Sequence, residues 1–149
     1  MTRFLPDTSV MVAAVCSWHE HHERVARDLE RRLGQKGALI LAAPAMVETY
    51  AVLTRLPPPH RLSPADALAL LEANFLAGSK LIALDASTYR TLLKEASRET
   101  ISGGRTYDWV IATCAIKAKV SVLLTLNAKD FLPFSGAHLQ IVVPGESAS

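Results

Sequence analysis

Four acids carry the chemistry this chain can do: Asp7, Glu48, Asp108 and Asp130. They lie far apart in sequence but in similar settings. Asp7 ends a short apolar stretch, residues 3–6, and precedes Thr8, Ser9 and an apolar helical segment, residues 10–16. Asp108 opens an almost wholly apolar segment, residues 109–118. Asn127 and Asp130 follow a buried-strand pattern, residues 120–125. Glu48 shares a helical face with Ala45, Ala51 and Val52. In a parallel sheet, strand ends and helix starts gather at the carboxyl edge. Carboxylates gathered there repel and raise one another's pKa unless a cation intervenes. An oxygen-only donor set without Cys or His suits Mg²⁺ or Mn²⁺. Such a site activates water and stabilises charge on a phosphodiester, so the implied reaction is metal-dependent phosphodiester hydrolysis.

Each acid also has a purely structural explanation. Asp7 taken alone is foremost a helix N-cap, a role its neighbours Thr8 and Ser9 also favour. Glu48 fits a core-edge salt bridge to Arg55 as well as it fits a ligand. A phosphatase using Asp7 as nucleophile is a competing enzyme class, but Ser9 stands where that chemistry usually places a second Asp.

The elements that must position these acids alternate. Strand patterns at residues 3–6, 38–42, 81–84, 120–125 and 139–143 are separated by helical ones. Residues 19–33 are amphipathic, with Val25, Leu29 and Leu33 at four-residue spacing and a face of mixed charge read as solvated. Pro44 suits the first turn of a helix running to about Leu56, and prolines 57–59 form a stiff connector. Ser63 and Pro64 start another helix, with Leu68, Leu71, Phe75 and Leu76 as its buried stripe. Asp85 opens one with Tyr89, Leu92, Leu93 and Ala96 at helical spacing. Residues 100–106 form a polar, Gly-rich loop without a phosphate-binding pattern. Cys16, His19, His21 and His22 lack structural-zinc spacing and read as a helix entry. The expected fold is an α/β/α sandwich with a mostly parallel central sheet, one domain over residues 1–149.

Composition narrows the class. Half the residues are hydrophobic and 20% are charged, as in a compact domain. The net charge of +2 makes no strong case for a polyanion partner, although a local basic surface would suffice. No apolar run reaches membrane-spanning length and no secretory pattern opens the chain, so a soluble cytoplasmic protein is expected. Two cysteines, Cys16 and Cys114, both in apolar helical surroundings, are expected to be buried free thiols.

Four segments together, FLPDTSV, PAMVETYAVL, YDWVIATCA and VLLTLNAKDF, resemble in order and spacing the PIN-domain ribonucleases, VapC-type toxins above all. The resemblance covers nearly the whole chain. It implies a parallel α/β/α sandwich, Mg²⁺ or Mn²⁺ dependence, endonucleolytic cleavage of RNA, homodimers and inhibition by a cognate antitoxin. By position it implies Asp7, Glu48 and Asp108 as the first three acids. Asp130 resembles the fourth acid of variants that carry Asn where this chain has Asn127. Thr8, Ser9 and Thr125 resemble supporting hydroxyl positions. By role, Asp7 and Asp108 are expected as direct metal ligands, Glu48 as ligand or base, and Asp130 with Asn127 as completing the shell. Arg105 and Lys129 are candidate phosphate contacts. A PIN-like module that binds RNA without turnover is the alternative, on the strength of Asn127.

Overall fold

The computed structural model describes residues 2–146. Five short strands carry the sheet: β1 (Phe4–Pro6), β2 (Ile40–Ala42), β3 (Lys80–Ile82), β4 (Val122–Leu124) and β5 (Gln140–Val142). The helices are α1 (Thr8–Val15), α2 (His22–Leu33), α3 (Ala43–Thr54), α4 (Pro64–Leu71), α5 (Ala86–Arg98), α6 (Arg105–Lys117) and α7 (Ala128–Phe131). A π-helical turn, Glu72–Leu76, extends α4, and a 3-10 turn, Leu132–Phe134, follows α7.

Every strand pair is parallel. One sheet runs β1-β4-β5 and the other β2-β3. A parallel bridge, Phe4 to Leu39, and the hydrogen bond from Phe4 N to Ala38 O at 2.9 Å join them. The combined order is therefore β3-β2-β1-β4-β5. From β1 the chain winds one way to β2 and β3, then returns past β1 to β4 and β5. Right-handed crossovers put the helices of the two halves on opposite faces, giving the expected sandwich. Its crevice opens at the carboxyl ends of β1 and β4, where the winding reverses.

Burial follows from this order. β1, β2 and β4 are covered on both faces, so all their residues are buried rather than alternating. Phe4, Leu5, Leu123 and Leu124 are each fully enclosed, and a side chain of that size contributes roughly 2–3 kcal/mol on burial. β3 lies at the edge and is mostly exposed. The core accepts Leu71 and Phe75 but leaves Leu68 46% exposed, with Ala67 buried in its place. Leu33 and Leu93 likewise face out while Leu29 and Leu92 face in. A four-residue spacing drifts around a 3.6-residue helix, so the ends of an apolar stripe leave the contact face. Cys16 and Cys114 are free and buried, and burial pushes the Cys114 thiol up to about 11.

Candidate active site

Asp7 is built into the fold before it can do chemistry. Its backbone N–H continues the β1–β4 ladder by donating to Leu124 O at 2.9 Å. Its Oδ1 caps α1, accepting from Val10 N at 3.0 Å and from Ser9 Oγ at 2.6 Å. Its Oδ2 accepts from Thr125 Oγ1 at 2.6 Å, across the switch point from the end of β4. The two hydroxyls are themselves fixed. Ser9 Oγ accepts from Leu126 N at 3.1 Å, and Thr125 Oγ1 accepts from Asn127 N at 2.9 Å. Asp7 is thus the cap of α1 while its carboxylate bridges to the end of β4. Burial pushes its pKa up to about 6 against those hydrogen bonds, with the charge of Glu48 adding to the rise.

Asp108 arrives differently. The helix carrying it starts at Arg105, earlier than the polar loop suggested. Gly103 turns the chain into it at φ +59°, a conformation suited to glycine. Asp108 therefore lies in the first turn of α6 and is not its cap, which is Gly104. A carboxylate near a helix N-terminus is favoured by the dipole, yet the pKa of Asp108 also rises to about 6. Burial is the main cause, followed by the charges of Asp130, Asp7 and Glu48, with Arg105 opposing. The charges of the other three acids predicted from sequence therefore all reach Asp108 at one edge of the sheet.

A cavity of about 330 Å³ marks that edge. Asp7, Thr8, Ser9, Glu48, Asp108 and Asn127 line it, with Val12, Val52 and Ile111 as its apolar wall. Thr125 lies beneath, fully buried. Asp130, on α7, is half-buried and reaches the site through its charge on Asp108 rather than through the cavity wall. Arg105 and Lys129 are exposed and do not line the cavity. Arg55 does line it, but the salt bridge considered for Glu48 is not made. The ion pairs among the described residues are His21–Glu20, Asp28–Arg31 and Asp28–Arg32. His19 also lines the cavity; sequence reasoning treated it as part of a solvent-facing helix entry.

Mg²⁺ or Mn²⁺ suits this donor set in one specific sense. Among the described residues no three Asp, Glu, His or Cys side chains converge closely enough to hold an ion as they stand. An Mg²⁺ site does not need that cage, since one or two carboxylates with waters and substrate phosphate are its usual shell. Thr8 Oγ1, on the cavity wall, is buried without a hydrogen-bond partner, and none of the ion pairs among the described residues involves the acids beside it. A much larger groove, about 1350 Å³, lies where β1, β4 and β5 begin, but its wall is Arg-rich and holds no such acid group.

This fold and this edge define a class. The chain belongs to the PIN-domain family, which matches residues 4–132. It is similar over nearly its whole length to VapC ribonucleases. Ribonuclease VapC40 of Mycobacterium tuberculosis is 45% identical over 136 residues, 91% of this chain and 95% of the relative. Ribonuclease VapC27 of the same species is 32% identical over 136 residues, 91% and 93% of the two chains. A DNA-bound VapBC structure from Salmonella typhimurium shares the fold, with a TM-score of 0.65 at 20% identity over 95% of this chain and 98% of that one.

Proposed function

We propose that this chain is an Mg²⁺- or Mn²⁺-dependent endoribonuclease, the toxin of a toxin–antitoxin pair. The observation that carries the reading is the meeting of Asp7, Glu48 and Asp108, from three separate elements, in one cavity at the switch point. The RNA substrate follows from relatives named as ribonucleases. Asp7 and Asp108 would hold the metal, with Glu48, Asp130, Asn127 and Thr8 completing its surroundings. Bound there, the ion would supply positive charge to the phosphodiester and acidify water. Glu48, at the cavity wall and in no ion pair among the described residues, would take a proton from the attacking water. The water oxygen bonds to phosphorus as one P–O ester bond breaks and its leaving oxygen is protonated. Arg105 and Lys129 offer cations to flanking phosphates outside the cavity.

The test is cleavage of total RNA by purified protein, with fragment ends sequenced. Cleavage is expected with Mg²⁺ or Mn²⁺, lost in EDTA, and reduced roughly 10³-fold or more by Asp7→Asn or Asp108→Asn in folded protein. Activity surviving both substitutions rejects the assignment. The spread of the acids keeps one second reading alive, an RNA-binding module without turnover. Calorimetry with Mn²⁺ separates the two, because binding abolished by Asp108→Ala belongs only to the enzyme. The partner is a cognate antitoxin, as in the VapBC complex whose fold this chain shares; a small upstream gene for a DNA-binding protein would support it. The expected homodimer is checked by light scattering.

A further inference from the structure

The histidine-rich turn before α2 carries a feature the acids do not explain. Trp18 is 47% exposed, large for the most hydrophobic-bodied side chain of the turn. Its indole stacks on His60, with ring centroids 4.2 Å apart and planes 23° from parallel. His19 leans against the same indole at 6.0 Å and lines the acid cavity. Arg55, exposed at the end of α3, lines that cavity too. An aromatic platform is therefore joined to the acid site through His19, which meets both, and Arg55 lines the cavity beside it.

The platform is held in place from both sides. Within the turn, His19 N donates to Cys16 O at 2.9 Å, His22 N to His19 O at 3.0 Å, and His21 N to His19 Nδ1 at 3.0 Å. The His60 loop is tied by His60 N to Pro57 O at 3.0 Å, Arg61 Nε to Leu56 O at 2.9 Å, and Leu62 N to Leu53 O at 3.1 Å. A ring that is ordered before binding loses little entropy on binding. Unpaired bases stack on such exposed rings with little regard to sequence. A base stacked close to the acids would add an anchor that does not depend on charge.

We propose that Trp18, backed by His60, is a stacking subsite that seats an unpaired RNA base beside the scissile phosphate, with His19 and Arg55 flanking the path between. This rests on the ribonuclease reading for its substrate class. The binding arm of the test is nonetheless independent of cleavage.

Trp18 and Trp109 are the two tryptophans, and Trp109 is buried, so fluorescence quenching that is lost in Trp18→Ala reports on Trp18. In the Asp108→Asn protein, a short mixed-sequence single-stranded RNA is expected to quench this emission. Calorimetry with the same RNA should show Trp18→Ala weakening binding roughly 5- to 100-fold, the range of one base–aromatic stack, while Trp18→Phe recovers most of it. In active protein, Trp18→Ala should raise KM by a similar factor with far less effect on kcat. An abasic site moved along the RNA should, at one position, cost wild type that same factor and Trp18→Ala nothing. Equal RNA affinity of wild type and Trp18→Ala, or an abasic penalty that persists in Trp18→Ala, overturns the proposal. So does a Trp18→Ala protein that loses only self-association or protein partners. Quenching with the abasic signature but no cleavage by wild type would keep the subsite and reject the nuclease.

Discussion

Asp7 and Asp28 are both buried, at 3% and 5% exposure, and their surroundings are opposite. Burial raises the pKa of any carboxylate. At Asp28 it is overcome by Arg32 and Arg31, which donate at 2.9 and 2.8 Å and hold the carboxyl below its ordinary range. At Asp7 the partners are hydroxyls and a backbone N–H, the nearest charges are other acids, and the pKa rises to about 6. The chain neutralises the acid that belongs to its structure and leaves the acid at the crevice short of positive charge. A deficit of that kind, held in place by a neutral network, is what a divalent cation would relieve. The same contrast separates the two edges of the sheet: an Arg-lined groove where the strands begin, and an acid cavity where they end.

The largest effect expected from breaking this contrast is on the Asp28 side. Asp28→Ala strands Arg32, whose side chain is only 10% exposed, and should cost about 3 kcal/mol or more. Thermal melting should show the loss while cleavage per folded molecule stays at the wild-type level. An unchanged melting temperature would mean the buried pair contributes nothing beyond its desolvation cost.

A middle-sized effect is expected from pH, and its sign differs between the two residues. A folded pKa raised above the unfolded value means the folded state binds protons more readily. Metal-free stability should therefore fall as pH rises from about 4 to about 6 through Asp7, by about 2–3 kcal/mol at most. Asp28, with a lowered pKa, stabilises the fold above the ordinary carboxylate range and loses that contribution only as pH falls below it. Urea denaturation in EDTA at pH 5 and pH 7.5 should thus show wild type more stable relative to Asp7→Asn at pH 5 than at pH 7.5. A gap that does not change with pH would remove the proton linkage. Saturating Mn²⁺ should offset the loss at pH 7.5.

The smallest effect sharpens the picture of the network. Ser9→Ala removes one donor to Asp7 and the acceptor for Leu126 N, at an expected cost of about 1–2 kcal/mol. It should also move the pH-linked loss to higher pH, because a hydrogen bond to the charged form is gone. Denaturation across the same pH range would detect this, and a shift to lower pH would contradict the assigned direction of the hydroxyl.

Much of this was legible in the chain. The apolar runs that became β1, β2 and β4 are local patterns, and so are the caps at Ser63 and Asp85, each confirmed by a side-chain bond to the helix N-terminus. The acids at strand ends and helix starts were visible for the same reason. Asp28 was not distinguishable from its solvated neighbours, because mixed charge along α2 does not say which side meets the sheet. His19 was read as part of a helix entry and Arg55 as a salt-bridge partner for Glu48, since their place on the cavity wall depends on how the turn after α1 and the end of α3 pack.

The sequence by itself determined the alternation of elements, the parallel sheet and the placing of Asp7, Glu48 and Asp108 near element ends. These follow from burial periodicity and capping, which act over a few residues. The tertiary structure decided the rest through register. Pairing Pro6 with Leu124 sets Asp7 beside Thr125, and a slip of one residue would turn every side chain of the strand to the other face. That register is chosen by the fit of whole layers against each other. No local pattern encodes it, and with it came the deficit of charge that makes the edge a site.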